Sequence, residues 1–224
     1  KPWNESFFGM NNPYSIIQEH RLVAILRLKD LSDAVPLATT LVRSGVMALE
    51  FTLTNQDAPK AIEQCLDQVP EFRGGIATIG MGSVRTLEEA RIAMDAGSQF
   101  IVSPITSIPI IEACKRASVS VCPGAYTPTE IAAAHDAGAD IVKVFPARNL
   151  GPAYIQDVLA PMPYLRLMPT GGIDLGNVEN YFRAGAFAVG VGGQFVDVSA
   201  IQNRDWDIVS QKASAFAEAC RRHP

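Results

Sequence analysis

Short apolar runs alternate along the chain with longer segments of helical period. The runs cover 22–26, 48–53, 76–80, 100–103, 119–122, 141–145, 165–168 and 187–191. They are rich in Val and Ile and almost continuous in hydrophobicity, as strands buried on both faces are. Amphipathic segments lie between them. Over 30–43 the apolar residues Leu31, Val35, Leu37, Ala38 and Leu41 fall on one helix face. Thr86-Leu87-Glu88-Glu89 reads as a helix start with Glu89 at the capping-box position. Thr127-Pro128-Thr129-Glu130 opens another helix, with proline just inside it. Gly45, Gly97, Gly138 and Gly185 close helices, and this joint recurs before the second, fourth, sixth and eighth runs.

Eight strand–helix units in one chain predict an α/β fold of the (β/α)8 TIM barrel type. A doubly wound sheet is the alternative. Residues 21–224 read as a single barrel domain. Residues 1–20 read as an N-terminal helical extension, helical over 13–20 and placed to plug the bottom of the barrel.

Composition narrows the functional classes. The 224 residues suffice to bury a full core. Hydrophobic residues make up 48% and charged residues 19%, which excludes an extended disordered chain. A net charge of −4 offers no global basic field for nucleic acid. No stretch has the ~18 apolar residues of a membrane span, and Lys1 to Glu5 do not open a secretory signal. Cys65, Cys114, Cys122 and Cys220 form no close pair. They read as reduced, mostly buried thiols in a cytoplasmic protein. His20, His135 and His223 lie in helical or terminal positions, so neither a metal site nor a metal-dependent aldol mechanism is expected. No dinucleotide fingerprint or serine elbow is present, and no cofactor is expected.

The low charge makes three residues stand out. Arg27 ends the first run, Glu50 lies in the second and Lys143 in the sixth. Arg166 sits near the start of the seventh run and reads as a residue of the solvated lower rim. A charge inside a barrel strand is costly unless it is paired or functional. By alternation Ile141, Lys143 and Phe145 share one face. If that face points inward, burial and a nearby Arg27 both favour a neutral, nucleophilic amine. The bland alternative is an ion pair between Lys143 and Glu50 that only joins strands, although such pairs stabilise poorly. Glu50 suits a general acid and base. Arg27 suits a two-pronged carboxylate contact, or else a rim arginine. An amine, a proton shuttle and an anion clamp together suit Schiff-base chemistry on a 2-oxo acid.

Glycine pairs extend the pattern. Pro169-Thr170-Gly171-Gly172 follows the seventh run, and Gly190-Val191-Gly192-Gly193 ends the eighth. Loops at these places in barrels often bind phosphate through backbone N–H groups; tight turns are the alternative. Gly80-Met81-Gly82-Ser83 reads as a third loop, with Ser83 either a carboxylate contact or a helix cap. Ser103-Pro104 and Cys122-Pro123-Gly124 read as rigid turns at the lip. Phe145 packs either on substrate or in the core.

From Arg21 to Val196 the sequence resembles the 2-keto-3-deoxy-6-phosphogluconate/4-hydroxy-2-oxoglutarate aldolase family. The matching pieces are Ala24-Ile25-Leu26-Arg27, Leu49-Glu50-Phe51-Thr52-Leu53, Gly80-Met81-Gly82-Ser83, Ser103-Pro104, Cys122-Pro123-Gly124, Lys143-Val144-Phe145-Pro146-Ala147 and Pro169-Thr170-Gly171-Gly172. The Lys-x-Phe-Pro motif with a glutamate in the second run is the most specific. The resemblance implies a class I aldolase, a carbon–carbon lyase and usually a homotrimer. Lys143 would match the Schiff-base lysine and Glu50 the acid/base. It implies a 2-oxo acid substrate, with pyruvate released beside a phosphorylated aldehyde, commonly glyceraldehyde 3-phosphate; 4-hydroxy-2-oxoglutarate would yield glyoxylate. Ile25-Leu26-Arg27 and the segment Phe145 to Pro152 are similar to the branch acting on the galactonate-derived substrate. The expected contacts are Arg27, Ser83, Phe145, Thr170, Gly171, Gly172, Gly192 and Gly193.

Three departures from the family pattern matter. Thr54 stands where some members carry an arginine four residues after the glutamate. Ile105 follows Ser103-Pro104 in place of the usual glycine, and Gln194 replaces the serine after the last Gly-Gly. The last change leaves room for an unphosphorylated aldehyde. The rival functions are a sugar-phosphate isomerase or epimerase, and a non-catalytic barrel that binds a phosphorylated metabolite.

Overall fold

The computed structural model describes residues 12–193, 195 and 197–221. Among the described residues nine short strands are separated by helices, except that β6 follows β5 directly: β1 (Leu22–Leu26), β2 (Ala48–Thr52), β3 (Thr78–Gly82), β4 (Phe100–Val102), β5 (Ser120–Cys122), β6 (Gly124–Ala125), β7 (Val142–Val144), β8 (Leu167–Pro169) and β9 (Val189–Val191). They form a six-stranded sheet in the order β5-β4-β3-β2-β1-β9 and a three-stranded sheet in the order β6-β7-β8. All pairings are parallel. The architecture is thus α/β with curled parallel sheet, where the sequence predicts a continuous eight-stranded barrel.

Pro123 explains one seam between the sheets. It has no N–H to give to a ladder, and β5 and β6 lie on either side of it. Its carbonyl accepts from Lys143 N at 2.9 Å, and Val121 O accepts from Asp140 N at 3.1 Å. Cys122-Pro123-Gly124 is therefore a break within a strand rather than a turn at the lip. Across the other seam, Thr170 and Gly190 form a parallel bridge, and Phe187 N donates to Leu167 O at 2.9 Å.

Alternation sorts the core into two layers. Leu22, Ala24, Leu26, Leu49, Phe51, Ile79, Met81, Val142 and Val144 point outward and pack under the helices. Val23, Ala48, Phe100, Val102, Cys122, Ile141, Met168 and Ala188 form a separate inner cluster. The helix Pro13–His20 reaches this cluster through Ile17. Its Tyr14 ring stacks on Phe187 at 5.5 Å, and Arg166 lies over that ring at 4.7 Å. Residues 1–11 of the expected extension lie outside the described residues.

Helix ends follow the local chemistry. Gly45, Gly97, Gly138 and Gly185 all have φ between +81° and +96°, a region that favours glycine. Thr127 and Glu130 form a complete capping box. At the helix Leu87–Asp95, Thr86 caps Glu89 N, but the Glu89 carboxylate turns back to Arg85. The predicted helix over 30–43 is observed as Ala34–Arg43.

The third strand shifts most. It runs Thr78–Gly82, and Ile76 is 60% exposed before it. Gly80 and Gly82 are thus strand residues rather than a loop. A side-chain carbon at Gly80 would overlap the Phe100 ring and carbonyl. These positions cede their volume to neighbours.

Candidate active site

The inward positions of β1, β2 and β7 bring the candidate residues toward one end of the sheets. Glu50 pairs in register with Ile25 of β1 on one side and Gly80 of β3 on the other. Because Gly82 has no side chain, the Glu50 carboxyl can lie over β3. It is 1% exposed, and Oε2 has no hydrogen-bond partner among the described residues. Burial pushes its pKa up, while the Lys143 and Arg27 cations pull it partly back.

Lys143 sits across the interior on β7 and is 6% exposed. Its Nζ lies 5.1 Å from the centre of the Phe145 ring. The side-chain amine makes no hydrogen bond or ion pair with a described residue, so the strand-joining pair with Glu50 is not formed. A cavity of about 360 Å³ opens above it. Ile25, Arg27, Lys143, Phe145, Arg148 and Thr170 supply its side-chain wall, with Ile173. Gly171, Gly172, Gly192 and Gly193 supply bare backbone.

Arg27 departs from the expectation of a charge inside a strand. It lies one residue beyond β1 and is exposed at the rim, where water solvates it. It still faces the cavity, because it continues the alternation of Val23 and Ile25. Thr170 is buried and its Oγ1 donates to Met168 O at 3.2 Å. It leaves no room for a side chain at Gly190. Pro169 ends β8 rather than opening the loop after it. Gly171 and Gly172 have φ of +94° and +82°, which only glycine adopts readily.

Ser83 does not line this cavity. It is half-buried at φ +63°, and the helix cap that follows is Thr86. Thr54 shares a 2.8 Å hydrogen bond with Thr52, above Glu50 on β2. Ser103 Oγ accepts from Ile105 N at 3.2 Å and fixes the turn after β4. Gln194 lies outside the described residues.

Ile25, Ile173 and Arg148 line the cavity without having been singled out as contacts in the sequence. Ile25 carried a signal, since it shares the inward face of β1 with Arg27. Arg148 carried none: it is an exposed arginine in a loop, in the turn Ala147–Asn149. Among the described residues, no cluster of three or more His, Cys, Asp or Glu side chains is arranged to hold a metal.

Comparison with known proteins places this geometry. The family model for KDPG and KHG aldolase matches residues 14–212. A 2-dehydro-3-deoxy-phosphogluconate aldolase of Haemophilus influenzae is 31% identical over 196 residues, covering 87% of this chain and 90% of the relative. A native KDPGal structure superposes with a TM-score of 0.82 at 28% identity, covering 90% of this chain and 95% of that one. A Legionella pneumophila KDPG aldolase structure, with pyruvate captured as a covalent carbinolamine intermediate, has a TM-score of 0.77 at 27% identity. It is matched over 94% of this chain and 97% of that one. With its buried lysine and glutamate under a glycine-lined cavity, the chain belongs to the KDPG and KHG aldolase family.

Proposed function

We propose that this chain cleaves 2-keto-3-deoxy-6-phosphogluconate to pyruvate and glyceraldehyde 3-phosphate through an imine on Lys143. The observation that carries this reading is a buried lysine, free of any ion pair with a described residue, opening on a cavity beside a buried glutamate. The amine attacks the C2 ketone and water leaves, giving an iminium ion. Glu50 accepts the proton of the C4 hydroxyl as the C3–C4 bond breaks, and the bonding electrons pass into the iminium. The aldehyde departs, the enamine takes a proton at C3, and water hydrolyses the imine to free pyruvate. Arg27 holds the substrate carboxylate at the rim. Phe145, Thr170 and the pairs Gly171-Gly172 and Gly192-Gly193 contact the remainder. The same steps on 4-hydroxy-2-oxoglutarate release pyruvate and glyoxylate.

The finer architecture belongs to the same reading. The bridge between Thr170 and Gly190, with the hydrogen bonds across Pro123, supports a single (β/α)8 barrel over 21–224 in which both seams close. The helix Pro13–His20, whose Ile17 joins the inner cluster, then forms the segment beneath it. Family membership supports a homotrimer. So do Ile105, Ile108 and Tyr126, three large apolar side chains each at least 39% exposed near one end of the sheets. No helix among the described residues is long and apolar enough to cross a membrane. The four buried free cysteines support a cytoplasmic enzyme. The test is pyruvate release from 2-keto-3-deoxy-6-phosphogluconate with a chelator present. Sustained turnover supports the reading; no pyruvate at saturating substrate overturns it.

A further inference from the structure

The cavity has an unusual charge balance for a chain of net −4. Three cationic residues, Arg27, Lys143 and Arg148, line it, and no Asp or Glu is among its described lining residues. The two arginines occupy different places. Arg27 continues the inward face of β1, on the side of Glu50, whose carboxyl feels its charge. Arg148 follows β7 and lies against the Gly171-Gly172 loop: a side-chain carbon at Gly172 would sit 3.0 Å from its Cβ and 3.1 Å from its Cγ.

The surroundings of Arg148 hold its backbone in place. Ala147 N donates to Thr170 O at 2.8 Å, and Asn177 Nδ2 donates to Gly172 O at 2.8 Å. The first bond ties the turn carrying Arg148 to the residue before the glycine pair, and the second braces the glycine loop itself. The guanidinium itself is left without a hydrogen bond or ion pair to any described residue. A planar, permanently charged fork can take two oxygens of a phosphate, and the positive-φ glycines beside it let that anion approach the backbone closely.

We propose that Arg148 determines specificity for the aldehyde half of the substrate, pairing with its terminal phosphate. This rests on the aldolase reading and assigns the second anion of the substrate to a residue in the turn after β7. Arg27 serves the carboxylate near Lys143, and Arg148 serves the far end. A substrate with two anions then spans the cavity in one direction only, with its keto carbon over the amine.

Arg148→Gln tests this, with Arg148→Lys as the conservative control. The ratio of kcat/KM for 2-keto-3-deoxy-6-phosphogluconate over 4-hydroxy-2-oxoglutarate should fall about 10- to 100-fold in the glutamine variant, as loss of one charged hydrogen-bonded contact implies. The change should lie mainly in KM, and lysine should restore part of it. Calorimetric binding of glycerol 3-phosphate, which needs no imine, should weaken in parallel. An unchanged ratio, equal loss on both substrates, or glycerol 3-phosphate binding insensitive to the substitution overturns the proposal. Pyruvate lacks the distal anion, so borohydride trapping of pyruvate on Lys143 reports on the aldolase reading separately.

Discussion

The carboxyl group of Glu50 occupies the space that a side chain at Gly82 would fill. A carbon built on Gly82 would overlap Glu50 Oε1, Cδ and Cγ. β3 therefore shapes the site by what it lacks, and the acid/base is positioned by a neighbour with no chemistry of its own.

Gly82→Ala should accordingly displace the carboxyl while leaving the chain folded. Overpacking a well-filled core costs about 1–3 kcal/mol, and misplacing a proton-transfer group costs about 10²-fold or more in kcat. Steady-state kinetics and urea unfolding on the same variant check both. Activity within threefold of the parent would show that Glu50 does not depend on this space.

Glu50 also makes a prediction about pH. Burial lifts its carboxyl above the ordinary 4.5, so the folded state favours the protonated form. The resulting stability is fully present below about 4.5 and is lost as pH rises through the higher folded value. Glu50→Gln removes that loss. The Tm of the variant minus that of the parent should therefore rise between about pH 4 and pH 8. A difference that is flat or falls contradicts the burial argument. The same variant should keep imine formation and lose about 10²–10⁴-fold in turnover.

Arg21 illustrates stability without chemistry. Its Nε donates to Phe187 O at 3.1 Å, its Nη2 to Ala186 O at 2.7 Å, and the guanidinium lies 4.3 Å from the Phe182 ring centre. This fastens the start of β1 to the joint before β9, far from the cavity. Arg21→Ala should lower stability by about 1–3 kcal/mol with KM unchanged. Urea unfolding within 0.5 kcal/mol of the parent (roughly the scatter of surface substitutions) would count against it.

Much of this was legible in the sequence because the chemistry is written in strands. Alternation put Lys143 on one face with Ile141 and Phe145, and apolar neighbours made the charges of Lys143 and Glu50 conspicuous. Glycines were harder. Gly80 and Gly82 look like a loop in sequence, because nothing local shows that Phe100 and Glu50 take up their side-chain space. Pro123 looked like a turn because its ladder partners on β7 are distant in the chain. Arg27 looked buried because the apolar run before it hides where the strand ends. Arg148 was invisible for the opposite reason: an arginine in a loop has no periodicity, and only folding lays it on Gly172.

The central claim is that Lys143 forms an imine with a 2-oxo acid. Borohydride reduction in the presence of pyruvate, followed by peptide mass analysis, measures this directly. The account predicts a pyruvate-derived mass increase on the peptide containing Lys143, absent in Lys143→Ala. No adduct at saturating pyruvate, or an adduct that persists in Lys143→Ala, would contradict it.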